Sequence, residues 1–402
     1  MRLHHNAFSH SPDMPKIWQK AARYFRHLMY VFTLFLPASL ISCSSMPEIR
    51  FEVGEPTSDP RVFTSLVVAG EPQAALTAID VLTNSGRAAD AAAALGLALS
   101  VTLPSAASLS GDTSCVVYDS LSKSAESFKS NNRKIQSDTY TSARGLFAMH
   151  AAHGTLPWAR IVSPAETLAR FGHPVSNALA RDLEYYGQIL AADRSALDLF
   201  MTDRRQVMEA GDQLVQTELA DTLAEIRENV IKTLDYSRQD MADGAQPVTR
   251  DSAMTSVRIE KYLKFSTESA GPRDGSSHFM VSDPQGQFVA CVVSMGRIFG
   301  DGVAIEDTGV LKAFPYDASN AIQRVSIEIY ADEITGEVLY ASASSNSNAE
   351  ESDASTAVFR DQPTSGVSVV NCERTSYRAD LSCRILADPS QYGYAQVIRL
   401  GN

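Results

Sequence analysis

Positive charge is scarce in this chain: 35 lysines and arginines against 47 acids leave its 402 residues at a formal −12. That balance argues against a nucleic-acid surface and gives no support to docking on anionic lipid through a basic patch. The apolar run "LMYVFTLFLPASLI" at 28–41 is short for a membrane-spanning helix, which takes about 20 residues, and Pro37 interrupts it. Cysteines number only five, and no Cys/His spacing resembles a zinc site. His150 and His153 share one helical stretch, but no third ligand lies near them in sequence, so no metal is expected there. Nothing in the pattern calls for a cofactor.

What is present begins with a basic head. Arg2, Lys16, Lys20, Arg23 and Arg26 stand against the single acid Asp13 before residue 43. Bases, then the short apolar run, then "LISC" read as an export signal. Leu40-Ile41-Ser42-Cys43 resembles the bacterial lipobox, which implies lipidation at Cys43 and a new chain start there; a plain signal peptide or a signal anchor are the other readings. The resemblance implies the envelope of a Gram-negative-type bacterium, with Ser44 matching the outer-membrane sorting pattern and the body facing the periplasm. Residues 44–62, rich in proline and polar groups, read as a tether. Of the remaining cysteines, Cys115 and Cys291 sit in apolar strand-like runs and are expected as buried free thiols. Cys372 and Cys383 flank a polar segment and could staple a hairpin.

Along the body, "TSLVVAG" at 64–70 reads as a strand, and 72–84 and 88–102 carry helical spacing separated by Ser85-Gly86. The second helix is apolar nearly all round and should be buried. Residues 115–118 and 125–128 read as a strand pair, and 143 to about 235 as short helices. From 277 the chain turns to strands joined by turns, "PQGQ" and "EITG" among them. Helices followed by antiparallel hairpins make a layered α+β protein.

The stretch "DGSSHFMVSD" at 274–283 puts two hydroxyls after an Asp-Gly pair at the head of a strand. It is either a serine-rich turn or a self-cleavage site that exposes an N-terminal nucleophile. Five ordered blocks bear on the choice: 67–104 with Gly86-Arg87-Ala88-Ala89-Asp90-Ala91-Ala92, "GTLPWARIVSPAETLARFGHPVS" at 154–176, "SSHFMVSDPQGQFVACVVS" at 276–294, "FGDGVAIEDTGVL" at 299–311 and "ADPSQYGYA" at 387–395. Together they resemble the gamma-glutamyltranspeptidases, members of the N-terminal-nucleophile hydrolases. The resemblance implies a four-layer sandwich in which helices pack on two stacked, largely antiparallel sheets. It also implies a large-subunit-like region at 63–275 and a small-subunit-like region at 276–402, cut at Gly275–Ser276.

In such enzymes the freed α-amine, with an ordinary pKa of about 7.7–8.0, serves as base for its own side chain. The resemblance therefore implies catalytic roles for Ser276 and Ser277, with a gamma-glutamyl amide such as glutathione as donor and water or an amino acid as acceptor. It places Lys129 where the family's arginine grips the donor α-carboxylate, Ser294 beside the nucleophile, and Asp317 at or near the acid that holds the donor amino group. Lysine lacks the bidentate guanidinium fork, so recognition should be looser. Where paired glycines would form an oxyanion hole the chain has "SSNSNAEE", and losing one such donor costs ~10²–10³ in turnover. An inactive binding or scaffold lipoprotein of the same fold is the alternative. Blander readings stand beside the others: Gly275 as a turn glycine, Ser294 as a strand end satisfied by backbone, His278 as a packed side chain.

Overall fold

The computed structural model describes residues 63–130, 140–234, 249–251, 257–259, 262–270, 275–314, 324–344, 366–374 and 381–398. Cys43, the tether and Asp317 lie outside the described residues, as does most of the segment expected to hold the oxyanion glycines.

The order is β1 (Ser65–Ala69), α1 (Pro72–Thr83), α2 (Ala88–Thr102), β2 (Asp112–Asp119), β3 (Ser124–Ser130), α3 (Thr141–His153), α4 (Trp158–Phe171), β4 (His173–Pro174) and α5 (Asn177–Tyr186). There follow α6 (Arg194–Leu199), β5 (Gln213–Leu214), α7 (Thr217–Glu228), α8 (Val230–Thr233), β6 (Thr249–Asp251), β7 (Val257–Ile259) and β8 (Tyr262–Ala270). The last strands are β9 (Ser276–Ser282), β10 (Gln287–Ser294), β11 (Arg324–Asp332), β12 (Val338–Ser344), β13 (Val367–Arg374), β14 (Leu381–Leu386) and β15 (Tyr394–Ile398). A seven-stranded sheet runs β15-β1-β9-β10-β2-β3-β6 and a six-stranded one β14-β13-β12-β11-β8-β7. Every pairing within them is antiparallel. This is the expected α+β class with helices on stacked sheets.

Strand alternation divides the core in two. Phe279, Val281, Val289, Cys291 and Val293 face the helices and join α2 in one cluster. Met280, Phe288, Ala290 and Val292 face the second sheet and meet Ile327, Ile329, Ala341 and Val370 there. Helix α2 is buried at all 15 positions, so its first amides cannot be left to solvent. The β9–β10 hairpin supplies the acceptors. Asp283 Oδ2 takes the Ala88 amide at 2.9 Å and the Arg87 Nε at 2.6 Å, and Gln287 Oε1 takes the Ala89 amide at 2.7 Å. Asp90 accepts the Arg87 amide at 2.8 Å and the Thr155 amide at 3.0 Å. The Gly-Arg-Ala-Ala-Asp and Gly-Thr-Leu-Pro-Trp blocks thus meet on one carboxylate. Burial pushes its pKa up, but the His150 and backbone hydrogen bonds outweigh that and hold it low.

Two expectations about cysteine part company. Cys372 and Cys383 are bonded across the β13–β14 pair, the hairpin staple anticipated. Cys115 and Cys291, expected as free thiols, are also bonded to each other. Their apolar strands are neighbours, and the β2–β10 register sets the two residues directly opposite.

The boundary at 275/276 falls inside one compact unit, Arg61–Asn402. β9 and β10, from beyond that boundary, are inserted between β1 and β2, from before it.

Candidate active site

Ser276 opens β9 and Ser294 closes β10, and the antiparallel register makes them a direct cross-strand pair. Such partners carry their Cβ atoms about 4.5–5.5 Å apart, within reach for two hydroxyls. The Ser276 hydroxyl donates to Ser294 Oγ at 2.7 Å. Ser294 Oγ also accepts the Gly296 amide at 3.0 Å and lies 3.5 Å from the Gly275 carbonyl oxygen, toward which it directs its own proton. Both serines are buried, on the face turned toward the second sheet.

The peptide ahead of Ser276 is held on all sides. The Gly275 carbonyl accepts the Met295 amide at 2.7 Å. Gly275 itself sits at φ +73°, where an added Cβ would stand 2.2 Å from the carbonyl carbon and oxygen of Arg297. Only glycine fits. The Ser276 hydroxyl therefore lies one residue from a carbonyl that already receives an N–H and faces a second hydroxyl. This is the arrangement an oxyanion formed at Gly275 would need.

Ser277, expected as a second catalytic hydroxyl, is placed otherwise. Strand alternation turns it to the helix side of the sheet, where its hydroxyl donates to Gln391 Oε1 at 2.8 Å. Lys129 lies on β3, in the register row His278–Val292–Ser114–Lys129. It therefore shares the sheet face of Ser276, three strands across and two residues along, or about 16 Å at the usual ~4.8 Å strand spacing and ~3.4 Å rise. His150 and His153 diverge: the first lies 3.0 Å from the Leu156 carbonyl, the second 2.5 Å from Glu126 Oε2. The Met295 and Gly296 amides and Gln391 were not anticipated. Backbone donors leave no trace in side-chain pattern, and Gln391 reaches the site from more than 100 residues away.

His278 is fully buried on the Ser276 face, and among the described residues neither ring nitrogen has a hydrogen-bond partner. Burial holds its pKa below the ordinary imidazole value, with the Asp388 charge pulling the other way. The sign follows: the unfolded chain takes up this proton near pH 6.5 and the folded chain resists it, so this contribution is present above that pH and lost below. His173, likewise depressed by burial, adds in the same direction. The drop in melting temperature from pH 7.5 to 5.5 should therefore be smaller in His278→Gln than in the wild type. Equal drops would show that His278 does not contribute.

Residues 74–243 match the family model described as gamma-glutamyltranspeptidase. The glutathione hydrolase proenzyme of Escherichia coli (strain K12) is 29% identical over 208 residues, covering 46% of this chain and 36% of that protein. The glutathione hydrolase proenzyme of Bacillus subtilis (strain 168) is 27% identical, covering 40% and 32%. The chain thus spans about a third of the length of the curated relatives it matches. Among solved structures, the cephalosporin acylase of Bacillus halodurans superposes with a TM-score of 0.56 at 15% identity, over 72% of this chain and 79% of that one. Motif blocks and matched region agree: residues 74–243 are similar to the gamma-glutamyltranspeptidase family, and the chain has an N-terminal-nucleophile hydrolase type of α+β fold.

Proposed function

We propose that the chain cuts itself at Gly275–Ser276 and then acts as a gamma-glutamyl hydrolase or transferase through Ser276. The carrying observation is the Ser276 hydroxyl, bonded at 2.7 Å to Ser294, beside a Gly275 carbonyl that accepts the Met295 amide. In the first reaction Ser276 Oγ bonds to the Gly275 carbonyl carbon and passes its proton toward Ser294. The oxyanion rests on the Met295 N–H and the Ser294 hydroxyl. The Gly275–Ser276 C–N bond breaks, the nitrogen takes up a proton, and an ester remains. Water opens the ester, freeing the Gly275 carboxylate, the Ser276 hydroxyl and the Ser276 amine.

In turnover that amine takes the hydroxyl proton as Ser276 Oγ attacks the donor's gamma-glutamyl carbonyl. The departing amine is protonated, and water or an amino acid then releases the acyl group from the serine. Glutathione-type amides are the proposed donors, with Lys129 drawing the α-carboxylate along the sheet face it shares with Ser276. Purified protein should release the chromophore from a gamma-glutamyl anilide, and Ser276→Ala should abolish this; Lys129→Ala should raise KM more than it lowers kcat. A wild type without turnover favours the inactive, binding alternative.

We propose further that Cys43 is lipidated and tethers the folded body to the envelope. Support comes from the basic head and "LISC", and from two disulfides suited to an oxidising compartment. Labelled fatty acid should enter the wild type, and equal labelling of Cys43→Ser would sink the idea.

A further inference from the structure

We infer that Gln391 is a positioning residue for the nucleophile, standing in for a strand that stops short. Strand β1 pairs with β9 only as far as Ala69 opposite Phe279. Ser276 and Ser277 therefore have β10 on one side and no strand pairing from β1 on the other. Gln391 occupies that side. Its Nε2 donates to the Ser276 carbonyl at 2.6 Å while its Oε1 accepts the Ser277 hydroxyl at 2.8 Å. The amide can sit only this way round, because a carbonyl oxygen accepts and never donates.

The chain is shaped to let this amide in. At Gly70, just past β1, a Cβ would lie 2.0 Å from Gln391 Oε1 and 2.5 Å from Ser277 Oγ. The turn that carries Gln391 is fixed from two directions. Asp388, fully buried, accepts the Ser390 amide at 2.8 Å, the Ser390 hydroxyl at 2.7 Å and the Gly366 amide at 3.0 Å through Oδ1. Arg181, from α5, donates to the Ser390 carbonyl on the outside. Tyr392 closes the turn at φ +55°.

The consequence rests on the proposed cleavage. Once Ser276 is a chain end, its amine and hydroxyl need fixed directions, and free termini fray unless tied down. Gln391 supplies the tie: it holds the carbonyl of the same residue whose amine serves as base and whose hydroxyl attacks. Because both its side-chain hydrogen bonds are spent within the chain, on Ser276 and Ser277, its loss should act on kcat and leave KM alone.

The test uses Gln391→Met, which keeps length and removes both hydrogen bonds, and Gln391→Glu, which keeps the oxygen facing Ser277 and loses the N–H to Ser276. With a gamma-glutamyl anilide, both should lower kcat by about ten-fold or more, the scale at which ångström misplacement of reacting groups is felt, with KM within about two-fold. Hydrogen exchange at the amides of Ser277 and His278 should quicken in both, while that of β2 stays at the wild-type rate. A kcat within two-fold of wild type in either variant, or unchanged exchange at Ser277 and His278, overturns the inference. If the wild type neither cuts nor turns over, the functional reading has failed, and exchange still decides whether Gln391 holds the strand. Should Gln391→Met not fold, Gln391→Glu carries the same comparison.

Discussion

Without reductant, the cut protein should run on a denaturing gel as one species; with reductant it should separate into two. Cys115 lies before the proposed cut and Cys291 after it, and the two are bonded across β2 and β10. The second bridge, Cys372–Cys383, lies wholly within the later piece and cannot join the halves. Forming the first bridge removes two hydrogens from two thiols. A disulfide-donating oxidoreductase of the proposed compartment would take them up and be reduced to its dithiol. Both cysteines are buried, so the native protein should resist mild reductant and yield two pieces only after unfolding. The bridge closes a separation of 176 residues, and in the uncut chain a crosslink of that span is worth up to about 5 kcal/mol. Cys115→Ser should therefore melt well below the wild type and show two pieces with or without reductant. Two pieces from unreduced wild type would remove the covalent link. A single chain in both lanes would mean no cut, and the mass of a joined Cys115–Cys291 peptide would then test the bridge by itself.

The same two cysteines mark where sequence reading ran out. Their apolar surroundings were legible and correctly implied burial, but bonding depends on register between strands 176 residues apart, which local pattern does not encode. The helix pair 72–83 and 88–102 was readable from spacing and from the Ser85-Gly86 stop, because those signals are local. Strand β8 carries no clear strand pattern in sequence. "YLKFSTESA" mixes charge with apolar residues, yet it pairs with β11 over nine residues and puts Phe265 into the inter-sheet core. Of the site, the Ser276 and Ser294 hydroxyls were accessible through motif resemblance. The other donor to the Gly275 carbonyl is the Met295 backbone amide, which carries no side-chain signature.

Gly275→Ala should block the cut and cost the fold about 2–5 kcal/mol, from left-handed strain of ~1–2 kcal/mol plus forced displacement of packed backbone. The Cβ would meet the Arg297 carbonyl carbon and oxygen at 2.2 Å and the Ile298 nitrogen at 2.5 Å. Those atoms have little room to retreat. Arg297 Nε donates to the Gly300 carbonyl, the Gly300 amide returns to the Arg297 carbonyl, and the Phe299 amide is held by Ser105. Relief must therefore come from Gly275 itself, by a rotation that takes its carbonyl off the Met295 amide and out of line with the Ser276 hydroxyl. Stability and cutting should fall together for one geometric reason. Gly211 separates strain from collision, for it sits at φ +92° with no atom within 4 Å of an added Cβ. Gly211→Ala should cost only the strain, ~1–2 kcal/mol, and cut at the wild-type rate. Melting curves for the three proteins, with cutting followed well below each midpoint, provide the comparison. Gly275→Ala that cuts as fast as Gly211→Ala would mean that the Gly275 conformation has no part in the cleavage.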